Sequence, residues 1–195
     1  ALATWGKEKV LSDLVYRIRK FQPDVIITRF PPDERAGHGH HSASSLLAEE
    51  AFDAAADKNA FPEQLTEVDV WQAKRLLWNF YNRGFTNTPP EDNSKFIQVD
   101  IGGYNSLLGE SYGEIGSRAR SMHKSQGFGA SLQRGERMET LMHTKGDVAE
   151  NDLFDGINTT WNRIKGGEIM TVLINDVLRN FNPEYPANSV PALNQ

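Results

Sequence analysis

Apolar positions in the first stretch of the chain recur at helical spacing. Over residues 4–20, Val10, Leu11, Leu14, Val15 and Ile18 share one face, while Lys7, Lys9, Asp13 and Arg17 lie elsewhere. That is an amphipathic helix, and Pro23 just beyond it is a stop signal. Residues 24–30 then form a short β-branched run (Val25, Ile26, Ile27, Thr28), the signature of a buried, parallel strand. Helix followed by buried strand is half of a βαβ unit, so an α/β fold is expected. Helical period returns over about 42–58, with Leu46, Leu47, Ala51, Phe52 and Ala55 on one face. Residues 74–81, 96–101 and 138–144 read as further strands. Residues 114–125 and 167–181 read as helices, and 86–94, 102–113 and 127–137 as loops.

The candidate chemistry sits where the first strand hands over to the second helix. Residues 31–37 make a loop at the carboxyl end of that strand, the edge at which open α/β sheets bind ligands. His38, His40 and His41 follow at once, three of the chain's five histidines within four residues. Imidazole ligates metals and moves protons near neutral pH. Gly37 and Gly39 remove side chains and permit positive φ, which lets backbone pass close to a ligand. On a helical first turn His38 and His41 face one cavity. In an extended segment His38 and His40 share a side and His41 lies opposite. Either way the segment offers one or two ligands, whereas catalytic zinc takes about three protein ligands and a water. Asp33, Asp100, His123 and His143 are the further candidates. His123 also reads as a buried, hydrogen-bonded residue at a helix end, and His143 as exposed on an edge. The competing reading of the cluster is a polar loop whose histidines cap a helix at Ser42 or lie in solvent.

Composition acts mainly by exclusion. Net charge is −5 with no basic block, which argues against nucleic acid or an anionic membrane as partner. There is no cysteine, so disulfides, thiolate zinc sites and cysteine nucleophiles are ruled out. No apolar run approaches the roughly 20 residues of a membrane span. The 195 residues suit one domain, placed at 1–185, with 186–195 as a linker or tail. The chain starts at Ala1 with neither initiator methionine nor targeting segment. It is therefore expected to be a piece of a longer protein, and its compartment is unassigned.

The order of strand 24–30, acidic loop, Gly37-His38-Gly39-His40-His41-Ser42 and helix resembles the G-H-P-D-H signature of the PIG-L/LmbE-like de-N-acetylases. Two further stretches agree. Residues 71–78 resemble the strand that follows the helix in that family. Met122-His123-Lys124-Ser125-Gln126 resembles its A-H-x-S-Q helix end. The resemblance spans roughly residues 8–128. It implies a Rossmann-like, three-layer fold with mostly parallel strands, and zinc-dependent removal of acetyl groups from N-acetylated amino sugars such as N-acetylglucosamine. It implies that His41 is a zinc ligand and that His38, protonated, steadies the oxyanion of the tetrahedral intermediate, a division of labour that is chemically sound. Gly39 stands where the family has proline, and His40 where it has aspartate.

One signature is absent. The family's A-H-P-D-D-E motif, which carries the other zinc ligands and the general base, does not occur in this chain. The sheet is accordingly expected to be incomplete on its N-terminal side. The isolated chain is expected to bind Zn2+ weakly and to be inactive, and its open sheet edge is expected to favour a homo-oligomer. Arg29 and Arg35 are candidates for holding a sugar hydroxyl or phosphate, His40 is a further substrate-binding candidate, and Tyr104 is a candidate for stacking on a pyranose ring. The alternative is a carbohydrate-binding or interaction module that keeps the scaffold without its chemistry.

Overall fold

A computed structural model describes residues 1–81, 91, 94–127, 129 and 131–194 of the chain. Most of the loop expected at 86–94 lies outside the described residues. In chain order the elements are α1 (Leu2–Trp5), α2 (Lys7–Phe21), β1 (Val25–Thr28), α3 (Gly39–Ala56), β2 (Arg75–Asn79), β3 (Phe96–Asp100), β4 (Tyr104–Asn105), β5 (Glu110–Ser111), α4 (Tyr112–Ser121), β6 (Met138–Gly146), α5 (Glu168–Asn180) and α6 (Val190–Leu193). The first expected helix is thus two. Gly6 adopts φ +75, a left-handed conformation that glycine takes without strain, and it separates α1 from α2. The chain folds as two compact units, Ala1–Val99 with Glu139–Ile157, and Asp100–Met138 with Asn158–Gln195.

In the first unit four strands form one sheet in the order β1-β2-β6-β3. β1 and β2 are parallel, with Val25 opposite Arg75 and Thr28 opposite Trp78, and α3 is the crossover between them. This is the expected βαβ unit. β2 and β6 are antiparallel. The sheet is therefore mixed, and the expected run of mostly parallel strands is limited to the β1–β2 pair. The α/β class stands. The reason for the difference is the return path: β6 enters beside β2 as a nine-residue strand running the opposite way, which needs no crossover helix.

Two apolar faces flank the sheet. On one, Leu11, Val15 and Ile18 of α2 pack against Leu47, Ala51 and Ala55 of α3, with Ile26 beneath. Phe52, Ala73 and Leu76 continue that layer. On the other, Leu77, Ile97, Leu141 and Ala149 cluster with Val25, Val99 and Leu153. Each large aliphatic side chain buried here contributes roughly 1.5–3 kcal/mol. β1 pairs with β2 alone among the described residues, and Ile27 on this outer strand is 50% exposed.

Two buried arginines brace the frame. Arg19, 1% exposed, donates to the carbonyls of Ala54, Ala55, Asp57, Ala60 and Phe61 and to Gln64 Oε1. It satisfies the end of α3 and the turn that follows it. Arg75 in β2 donates to the carbonyls of Asp147, Leu153 and Asp155 and holds the segment that leaves β6.

His143 corrects an expectation. It lies on β6, an inner strand, and is 7% exposed rather than exposed on an edge. Its Nδ1 lies 3.1 Å from the Lys95 carbonyl, and its Nε2 accepts from the Ala149 N–H at 2.9 Å. Both contacts suit one neutral tautomer, with the proton on Nδ1. Burial holds its pKa below the ordinary 6.5. A folded pKa below the unfolded one means that the unfolded chain takes up the proton first. The contribution of His143 is thus present above pH ~6.5 and is lost as pH falls from there through the folded value. Urea unfolding at neutral and mildly acidic pH should show this loss. His143→Gln should be less stable at neutral pH but should lose less on acidification; an equal loss in both proteins would refute the assignment.

The second unit carries the β4–β5 hairpin, where the glycine-rich stretch 102–113 reads as loop. It also carries α4, α5 and α6. α5 forms where its periodicity places it, though none of its residues is buried. The expected tail at 186–195 contains a 3-10 turn at Pro186–Ser189 and the short α6.

Candidate functional site

The histidine cluster opens α3. The helix begins at Gly39, three residues earlier than expected, with His38 as its extended N-cap residue. The His38 carbonyl accepts from the N–H groups of His41 and Ser42, so the cluster occupies a helical first turn. No histidine side chain caps the helix; His38 and His40 are exposed and His41 is partly buried. His38 and His41 come together with ring centroids 5.2 Å apart, edge to face. His40 points elsewhere and lies 5.0 Å from the Trp5 ring. Of the two conformations compatible with the spacing, the chain adopts the one that pairs His38 with His41.

His41 is held on two sides. Its ring stacks on Phe30 at 3.7 Å with a 2° interplanar angle. Its Nδ1 lies 3.0 Å from the Ala36 carbonyl. An imidazole that donates Nδ1–H to a carbonyl presents a lone pair on Nε2, the usual arrangement of a metal-ligating histidine. The loop that supplies Phe30 and Ala36 is pinned by serines of α3. Ser45 donates to the Phe30 carbonyl, and Ser42 donates to the Asp33 carbonyl at 3.0 Å. Gly37 takes φ +78, which a side-chain-bearing residue resists, and turns the chain from the Ala36 carbonyl into α3. Gly39 is helical and needs no such freedom.

The sequence pattern singled out the histidines and missed these supports. The one available signal was Ser42, Ser44 and Ser45 together at a helix start, where hydroxyls find backbone partners readily.

The other candidate ligands do not join the pair. Asp33 is engaged by Arg35, whose guanidinium lies 2.6–3.0 Å from both carboxylate oxygens. The Arg35 hydrogen bond holds the Asp33 carboxyl below its usual range. Asp100 belongs to the second unit and accepts from the N–H groups of Gly102 and Arg137. His123 is exposed rather than buried, with Nδ1 2.6 Å from Gln126 Oε1. His143 has the structural role given above. Among the described residues no group of three His, Asp or Glu side chains is placed to hold a metal ion. Tested against zinc, the chain thus supplies one well-oriented donor in His41 and an adjacent imidazole, not a complete set.

The expected substrate-contacting residues are distributed as follows. Arg29 lies over the Tyr81 ring at 5.5 Å and donates to Asn79 Oδ1. Arg35 lies over the Trp78 ring at 4.8 Å, and its carbonyl accepts from the Tyr81 hydroxyl. Both line the carboxyl-terminal side of β1 and β2. Tyr104 belongs to the second unit and is 68% exposed.

No protein-family model and no solved structure matches the chain. A curated protein does. Over 97 residues the chain is 34% identical to the mycothiol S-conjugate amidase of Streptomyces coelicolor. Half of this chain is similar to a known amidase. The match covers 49% of this chain and 30% of that relative, so the chain spans about a third of the protein it resembles. No helix among the described residues is long and apolar enough to cross a membrane.

Proposed function

We propose that this chain is part of an amide hydrolase of the PIG-L/LmbE type, acting on an N-acylated amino sugar, with N-acetylglucosamine derivatives as the substrate class. The observation that carries the reading is His41, oriented by the Ala36 carbonyl and the Phe30 ring, with His38 at 5.2 Å. The amidase similarity over half of the chain supports the same reaction class.

In this reading His41 holds zinc through Nε2, and the remaining donors and the general base come from polypeptide outside this chain. Zinc, when bound, polarises the carbonyl and makes a nucleophile of water near neutral pH. His38, as a protonated imidazole, donates to the amide oxygen as negative charge develops there. Arg29, Arg35 and His40, which surround the same loop, contact substrate hydroxyls. In the full-length protein β1 gains a neighbour on its outer edge, and the sheet becomes Rossmann-like.

Acetate release from an N-acetylglucosaminide by the full-length protein tests the proposal. Hydrolysis is expected, lost with a chelator and restored by Zn2+. This chain alone is expected to show none. A folded, zinc-replete full-length protein that binds such sugars without cleaving them would make the non-catalytic binding module the correct reading.

A further inference from the structure

The second unit contains a cleft that the histidine site does not use. α4 opens with a capping box: Ser111 Oγ accepts from the Glu114 N–H, and the Glu114 carboxylate accepts from the Ser111 N–H. Glu114, 4% exposed, also receives Arg134 Nε at 2.7 Å. That ion pair and the Ser111 Oγ contact to the Gln133 carbonyl tie the segment 133–137 to the start of α4. Its far end is tied by Asp100, which accepts from the Arg137 N–H at 2.8 Å, and by the Arg137 carbonyl, which accepts from the Ile101 N–H.

Glycines allow this close approach. A Cβ at Gly102 would stand 1.9 Å from the Gly135 carbonyl oxygen, and one at Gly113 would stand 3.0 Å from that of Gln133. One turn later the walls diverge, and a Cβ at Gly116 would meet nothing within 4 Å. The space between is a cleft of about 550 Å³, within the usual range of small-molecule sites. Ser117 and Arg120 line it from α4, and Gln133 and Arg137 from the facing segment. Arg120 and Arg137 bring two guanidinium groups to this lining, beside the Ser117 hydroxyl and the Gln133 amide.

We propose that this cleft binds a small hydroxylated molecule bearing a phosphate, with the phosphate between Arg120 and Arg137 and the hydroxyls toward Ser117 and Gln133. Guanidinium forks match phosphate oxygens in pairs, whereas hydroxyl and amide side chains suit sugar hydroxyls. The inference is independent of the proposed hydrolase activity, since no residue of the histidine cluster takes part.

Calorimetric titration of the whole chain at low salt tests it, with glucose 6-phosphate as probe and glucose as the uncharged control. Glucose 6-phosphate is expected to bind with a Kd of about 1 mM or tighter, and glucose not to bind detectably. Two variants separate site from surface. Arg120→Gln combined with Arg137→Gln should weaken binding at least about tenfold, the loss expected for a pair of charge-assisted contacts. Gly116→Leu places a side chain in the open space of the cleft and improves helix propensity. It should abolish binding with the thermal midpoint unchanged or raised. The proposal is overturned if glucose 6-phosphate does not bind at about 10 mM, or if Gly116→Leu stays folded and binds it as tightly as the parent.

Discussion

Replacing Arg19 with methionine is expected to lower the unfolding free energy by about 3–5 kcal/mol. Methionine keeps most of the side-chain volume, so the effect isolates the hydrogen bonds. The guanidinium serves five backbone carbonyls and one side-chain amide, with distances of 2.8–3.2 Å. Those carbonyls belong to the last turn of α3 and the turn after it, where a helix leaves acceptors without intrahelical partners. Each buried acceptor left unsatisfied costs about 1–3 kcal/mol, less where water can enter. Arg19→Lys restores charge but brings three donors instead of five in a fixed fork, so it should recover less than half of the loss. Thermal unfolding should show a drop of roughly 10 °C for the methionine variant, at the few degrees per kcal/mol expected for this chain length. A loss below about 1 kcal/mol would mean that the carbonyls find other donors.

Arg19 also marks a limit of sequence reading. Hydropathy treats it like Arg17, two residues earlier on the same helix, because both are polar interruptions of an apolar period. Only the tertiary packing of α2 on α3 decides that one is buried and the other is not. Arg75 is the same case within a strand. The elements themselves were largely legible. The β-branched run at 25–28, the helical period after it and the apolar run at 75–79 predicted β1, α3 and β2, because local period and burial agree there. The position of β6 between β2 and β3 was not legible, since pairing order is a non-local choice that leaves no trace in the period of a strand. That is why the sequence places His143 on an exposed edge. At the site the i, i+3 spacing of His38 and His41 predicted their meeting once the first turn is helical. The Phe30 ring and the Ala36 carbonyl were invisible, because they reach His41 along a loop whose path is set by Ser42, Ser45 and the left-handed Gly37.

His38→Ala and His41→Ala, made in the full-length protein, are expected to fail in different ways, and the difference tests the roles assigned to them. His41→Ala removes the imidazole whose Nε2 is freed by the Nδ1 contact to Ala36. Metal analysis should show zinc lost from the purified variant, and amide hydrolysis should fall below detection. His38→Ala should keep its zinc. It lacks only the donor to the developing oxyanion, an interaction that matters in the transition state far more than in the bound substrate. Its kcat should therefore fall by about 10²–10³, with KM changed little. Phe30→Ala supplies the intermediate case. It leaves both histidines but removes the ring stacked on His41 at 3.7 Å, so zinc affinity should weaken by about 10–100-fold, as for other outer contacts of a metal ligand. If His38→Ala loses zinc as completely as His41→Ala does, both imidazoles are ligands and the oxyanion assignment is wrong. If His41→Ala retains zinc and activity, the metal lies elsewhere, and the orientation of His41 by Ala36 and Phe30 is a packing feature of the α3 N-terminus.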